Sequence, residues 1–355
     1  MKFKLKTKIY NKNKIIVTDG MIGGGKTLIA NLISGLKSVE PWIHDTNLER
    51  ICALNSLKKI SIDSSTDLIK KSFNEKYFDT YILRYSNFRK NDISSLVNHL
   101  RYKSIRKRQK ITNIEAEKKI KKIKMGVQFM THMNTPHSEP IFRAFKKKLF
   151  YVIILRNPFS IYTLNWLARW TELFKKFDHR DGRVNFYSTK HKINFPFEVK
   201  KRDVDYYFRL NKFEKAFYLT ENYYYESLKK INLLSNKYES KFMIIPFEKL
   251  TTNPFKYLKK ISKILNIKID KVTLKIVKKN KVPRIHSESL GKIINYDFSK
   301  NLFPAKYRKY FRSKITDEKL EELKHSYFKK NLNNKLFQRL LKLEKFYKKK
   351  ILNRY

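Results

Sequence analysis

Residues 14–36 read KIIVTDGMIGGGKTLIANLISGL, and their order decides the fold. A short β-branched run at 14–18 leads into Gly20-Met21-Ile22-Gly23-Gly24-Gly25-Lys26-Thr27, which satisfies G-x-x-x-x-G-K-[ST] at every fixed position. Leu28, Ile29, Leu32, Ile33 and Leu36 then recur at helical spacing. Strand, glycine turn and helix together open a βαβ unit. The glycines let the backbone curl so that successive N–H groups face a phosphate, and the helix start adds partial positive charge. Lys26 supplies a full charge and Thr27 a hydroxyl. The pattern speaks for a phosphate ligand and says little about the reaction; the bland alternative is a glycine-rich turn without a ligand.

Outward from this stretch, short apolar runs alternate with helical patterns. Residues 126–131 (GVQFMT), 149–155 (LFYVIIL) and 241–247 (KFMIIPF) read as buried strands. Helical spacing covers 48–57, 141–147, 160–174, 203–236 and 253–265, the last with Pro254 in its first turn. Strands alternating with helices predict an α/β fold: a three-layer sandwich around a central parallel sheet, P-loop NTPase-like, with helical insertions. We expect one domain over 1–355, a helical insertion at 60–125 and an acceptor-side helical region at 175–240. A basic C-terminal helix is expected at 315–355. Residues 178–197, rich in His, Arg, Gly and Pro, read as a loop or hairpin.

The net charge of +50, from 81 Lys and Arg against 31 Asp and Glu, invites a nucleic-acid reading. The basic residues are mostly Lys and run the whole length, and no zinc-ligand spacing or aromatic RNA-binding motif accompanies them. Solvated lysine faces are the better reading, with no specific nucleic acid as partner. An anionic substrate or peripheral membrane contact stays compatible with the charge. Cys52 is the only cysteine, which excludes an intrachain disulfide, and it reads as a small buried hydrophobe. The eight histidines show no ligand spacing, so no metal is expected. The N-terminus lacks a signal-like apolar stretch and no run is long enough to span a bilayer, so a soluble cytoplasmic protein is expected.

Ligands of parallel sheets sit beyond the carboxyl ends of the strands. That edge gathers the glycine loop, Thr131-His132 and Arg156. A kinase or NTPase needs a strand ending in an acid to help hold magnesium. Asp63, after the weak strand KISI, and Glu248, after MIIPF, are the nearest substitutes. The best strand ends instead in Arg156, whose guanidinium suits an anion.

The segment THMNTPHSEPIFRAFKKKLFYVIILRNPFSIY (131–162), followed by MIIPFEKLTTNPFKYLKKISKIL (243–265), resembles the sulfotransferases that use 3′-phosphoadenosine 5′-phosphosulfate. The likeness runs from residue 14 to 265 in matching order. It implies that Gly23, Gly24, Gly25, Lys26 and Thr27 hold the 5′-phosphosulfate, with Lys26 stabilising the leaving oxygen. It implies Arg156 for the 3′-phosphate and His132 as catalytic base, with His137 and Glu139 as rivals in the following turn. The family's second 3′-phosphate ligand, a Ser eight residues after the Arg, is here Leu164; Thr163 stands one position earlier. The family's basic loop near the C-terminus has Arg284 as its stand-in. Three readings follow: sulfuryl transfer to a hydroxyl of a saccharide or small molecule, a P-loop kinase or NTPase, and a non-catalytic or nucleic-acid-associated relative.

Overall fold

The computed structural model describes residues 6–9, 14–92, 94–123, 125–173, 184–284 and 317–355. Its centre is a five-stranded parallel sheet formed by β1 (Ile15–Gly20), β2 (Ile43–His44), β3 (Val127–Met130), β4 (Leu149–Leu155) and, beyond a small hairpin, β7 (Lys241–Pro246). The spatial order is β2-β3-β1-β4-β7. Register is set by Ile15 opposite both Val127 and Leu149, and by Leu155 opposite Pro246. Every residue of β1, β3 and β4 is buried, as strands covered on both faces must be.

Strand alternation assigns the two faces. Ile15, Val17, Tyr151 and Ile153 point into one core, built with helices Thr46–Ser56, Ile62–Tyr81, Glu139–Phe145, Ile161–Leu173 and Lys212–Tyr238. Ile16, Phe150, Val152 and Ile154 point into the other, against helices Lys26–Ser34, Pro254–Leu265 and Lys271–Lys279. The expected three-layer α/β sandwich is therefore present, and parallel pairing brings all five carboxyl ends to one edge.

The insertion meets the sheet at its opposite end. Arg101 donates to the Ser34, Gly35 and Leu36 carbonyls, which close the C-terminus of the helix Lys26–Ser34, and pairs with Asp270. Arg108 makes a two-pronged pair with Glu40. The expected strand before Asp63 is not formed. Ser61 caps the helix Ile62–Tyr81 by accepting from the Ser64 amide, and Asp63 lies in its first turn, paired with Arg143 at 2.5 Å. A serine followed by twenty residues of helix outweighed four residues of alternation.

Residues 178–197 do end in a hairpin, β5 (Asn185–Ser188) with β6 (Ile193–Pro196). The turn His179–Arg183 lies outside the described residues. The expected C-terminal helix is two helices, Asp317–Asn331 and Asn334–Tyr347, the second capped by Asn333. They dock on the domain: Phe328, Leu336, Leu340, Leu343 and Tyr347 are buried in the first core. Tyr347 donates to Glu248 at 2.5 Å and to the Leu155 carbonyl at 3.1 Å. Glu248 also accepts from the Asn157 amide at 2.8 Å, so this carboxylate fastens the tail to the end of β4. Among the described residues no helix is long and apolar enough to cross a membrane.

Candidate active site

The glycine loop is pinned by its own geometry. Gly23 and Gly25 adopt φ of 76° and 100°, conformations that side chains resist. A Cβ on Gly25 would stand 2.3 Å from a ring carbon of Phe247, so the loop also needs the missing side chain for space. Lys26 is buried, with Nζ donating to the Met21 carbonyl at 2.6 Å, which draws its charge across the loop. The helix begins at Lys26, so the positive end of its dipole lies at the loop.

On the β4 side, Arg156 and Thr163 both reach the Gly23 carbonyl, Nη1 at 3.2 Å and Oγ1 at 3.5 Å. Arg156 is buried, and its guanidinium lies over the rings of Phe247 at 4.3 Å and Tyr162 at 5.0 Å. The Tyr224 hydroxyl donates to its carbonyl. Leu164, in contrast, is packed in the core, and Thr163, one position earlier, faces the loop together with Trp166. Arg284 is tied by its amide to the Thr251 carbonyl at 2.8 Å. Burial and the neighbouring Arg156 both push Arg284 below its ordinary value. Two desolvated guanidiniums that repel each other make a strong field for an anion.

On the β3 side stands His132. Its backbone amide donates to Glu49 Oε1 at 2.7 Å, and its Nδ1 lies 3.0 Å from the same oxygen. Burial first, then the Lys26 ammonium, push His132 down to about 3 against the opposing pull of Glu49. Burial raises Glu49, yet His132 and His44 outweigh it and hold the carboxyl well below the usual range. The pair is therefore a neutral imidazole on a carboxylate. A carboxylate only accepts, so Nδ1 carries the proton and Nε2 keeps a lone pair. A small niche opens against His132 and Glu49, with Met133, Asn134 and Phe197 in its wall.

The two rivals have other partners. Glu139 accepts from Lys230, Lys237 and Tyr238, which hold it ionised at about 2 against its burial. Its three partners all lie on the long helix Lys212–Tyr238. His137 contacts Ser56 through Nδ1 at 2.8 Å and packs against Phe197.

Sequence reasoning missed two carboxylates. Asp19, at the end of β1, accepts from Thr131 Oγ1, the Asn134 and Thr135 amides, Thr135 Oγ1 and Tyr223 OH. It binds the glycine loop to the turn after β3, which fixes Lys26 relative to His132. Glu49 rides in the first turn of the helix capped by Asp45. Neither has a local signature, because both partners are brought up by the fold from over eighty positions away.

A glycine loop joining the first strand and helix of a parallel sheet, with cations at the neighbouring strand end, defines a P-loop-like α/β protein. Solved structures similar to this chain include three sulfotransferases. One is the sulfotransferase domain from the curacin biosynthetic pathway, at 12% identity over 88% of this chain and 96% of that one, TM-score 0.38. Another is the sulfotransferase domain from the Synechococcus PCC 7002 olefin synthase, at 13% identity over 92% and 98%, TM-score 0.39. The third is mouse sulfotransferase SULT7A1 complexed with PAP, at 13% identity over 93% and 89%, TM-score 0.32. No protein-family model and no curated protein sequence matches the chain.

Proposed function

We propose that the chain is a sulfotransferase that takes 3′-phosphoadenosine 5′-phosphosulfate as co-substrate and acts on a hydroxyl of a saccharide or small molecule. The observation that carries this reading is the buried Arg156 guanidinium, which reaches the Gly23 carbonyl, with the half-buried Arg284 close enough to repel it. A nucleoside triphosphate needs a metal-holding acid beside such a loop. Asp19, the acid at the end of β1 beside the loop, is already engaged by five protein donors. A nucleotide with a second phosphate off the line of the first needs cations on the flank, where these arginines lie.

When bound, the co-substrate supplies a sulfuryl group whose bond to the 5′-phosphate oxygen breaks as the acceptor oxygen bonds to sulfur. The amides of Gly23–Lys26 and the Thr27 hydroxyl hold the 5′-phosphate. Lys26 neutralises charge on the departing oxygen, and Arg156 with Thr163 and Arg284 holds the 3′-phosphate. His132 Nε2 takes the acceptor's proton, while Glu49 holds the ring and balances the imidazolium that forms.

The test is a thermal-shift titration with adenosine 3′,5′-bisphosphate and with ATP, each with and without magnesium. The bisphosphate should raise the melting temperature without magnesium, and Arg156→Ala should abolish the rise. Stabilisation by magnesium-ATP alone overturns the proposal in favour of a kinase or NTPase. His132→Ala should keep the bisphosphate shift and lose about 10²–10⁴-fold in transfer rate.

A further inference from the structure

We propose that His44, Glu49 and His132 form a three-ligand site for a zinc-class divalent cation, and that its occupancy takes His132 out of proton transfer. The second half rests on the reading of His132 as base.

The three ligand atoms all lie within 4.8 Å of one another. Glu49 Oε1 is 3.0 Å from His132 Nδ1 and 3.7 Å from His44 Nε2, and the two rings meet edge to face at 4.7 Å. Around a tetrahedral zinc with bonds of about 2.0–2.1 Å, ligand atoms stand roughly 3.3–3.5 Å apart. The two separations from Glu49 bracket that value and the third lies within 4.8 Å, so side-chain shifts of that order seat the ion. The fold builds this convergence. Parallel pairing sets His44 opposite Met130, two residues before His132, and Asp45 then caps the helix whose first turn presents Glu49.

Two imidazoles and one carboxylate are a borderline ligand set, suited to zinc-class ions and poorly matched to calcium or magnesium, which prefer all-oxygen shells. His44 is 39% exposed and gives the ion a path from solvent, while the pocket beside Glu49 and His132 leaves a further coordination position open.

Occupancy has a defined chemical consequence. The ion requires the lone pair of Nδ1, so the proton held there moves to Nε2. The imidazole keeps one proton in total, but the atom that faces the acceptor changes from acceptor to donor. Transfer should stop while the nucleotide site is left intact.

The experiment uses the full chain, stripped with a chelator and titrated with Co²⁺ and Zn²⁺. Cobalt should bind one equivalent and give visible ligand-field absorption of a four- or five-coordinate site. His44→Ala and Glu49→Gln should each weaken binding at least tenfold, with the thermal shift by adenosine 3′,5′-bisphosphate retained as evidence of folding. Absence of cobalt binding, or binding unchanged in both variants, overturns the site. Zinc should lower turnover of the parent chain without weakening the bisphosphate shift. Cobalt binding that depends on His44 without any zinc inhibition overturns the regulatory half and, with it, the assignment of His132 as base, and leaves the cation site standing.

Discussion

At Gly25 a single hydrogen atom decides whether the loop exists. Its φ of 100° is unfavourable to side chains, and a Cβ would stand 2.3 Å from the Phe247 ring, which is itself packed under Arg156. Strain and overpacking each cost about 1–3 kcal/mol, so Gly25→Ala should destabilise by roughly 3 kcal/mol in a denaturant titration. Gly24→Ala is the control, because the nearest atoms to its Cβ, all of Met21, would stand at 3.0 Å or more and its φ is not positive. Equal losses in the two variants would refute the role given to Phe247. The need for glycine here was legible in the sequence, since the spacing of the loop demands a backbone that curls. The reason for this particular glycine was not, because Phe247 arrives from the end of β7, more than two hundred positions away. The same limit applies to Glu49 and Asp19. A histidine after a strand is readable, but the carboxylate that sets its tautomer is a product of the fold.

Elements show the complementary balance. Strands β1, β3 and β4 were legible because a strand buried on both faces must be largely apolar, β7 by its apolar run at the sheet edge, and the helices because their apolar residues recur on one side. β2 was missed: two residues leave no periodicity, yet they carry His44 to the site. Asp63 was misread because four alternating residues resemble a strand until a serine cap is recognised. Glu139 shows how elements are held to one another. It opens the helix Glu139–Phe145 and accepts from Lys230, Lys237 and Tyr238, in the last turns of the helix Lys212–Tyr238. Burial raises its pKa, but these partners prevail and bring it from an ordinary 4.5 to about 2. A depressed carboxyl contributes stability that is complete above its unfolded value and is lost as pH falls towards its folded one. Glu139→Gln should therefore lower stability at pH 7, with the gap to the parent shrinking below about pH 4.5 and closing near pH 2. A gap that stays constant over that range would mean that packing, not charge, joins the two helices.

The whole molecule carries +50, and its charge bears on stability and on partner choice in different ways. Folding concentrates like charges, and screening relieves their repulsion. The melting temperature should therefore rise as NaCl goes from about 10 mM, where the Debye length is about 30 Å, to about 150 mM, where it is about 8 Å. Binding separates the two classes of anion. A polyanion on the lysine surface releases counterions and loses affinity steeply with salt. A bisphosphate held between Arg156, Arg284 and Lys26 meets charges that are buried or half-buried and so less screened. The shift it produces should keep most of its size at about 150 mM salt, where a shift produced by duplex DNA should largely vanish. Lys26→Ala adds the second axis, because it should remove the bisphosphate shift and leave the DNA shift at low salt untouched. If instead the DNA shift survives salt and exceeds that of the bisphosphate, the basic surface is a specific nucleic-acid face. The glycine loop would then be the inherited feature and the charge the functional one.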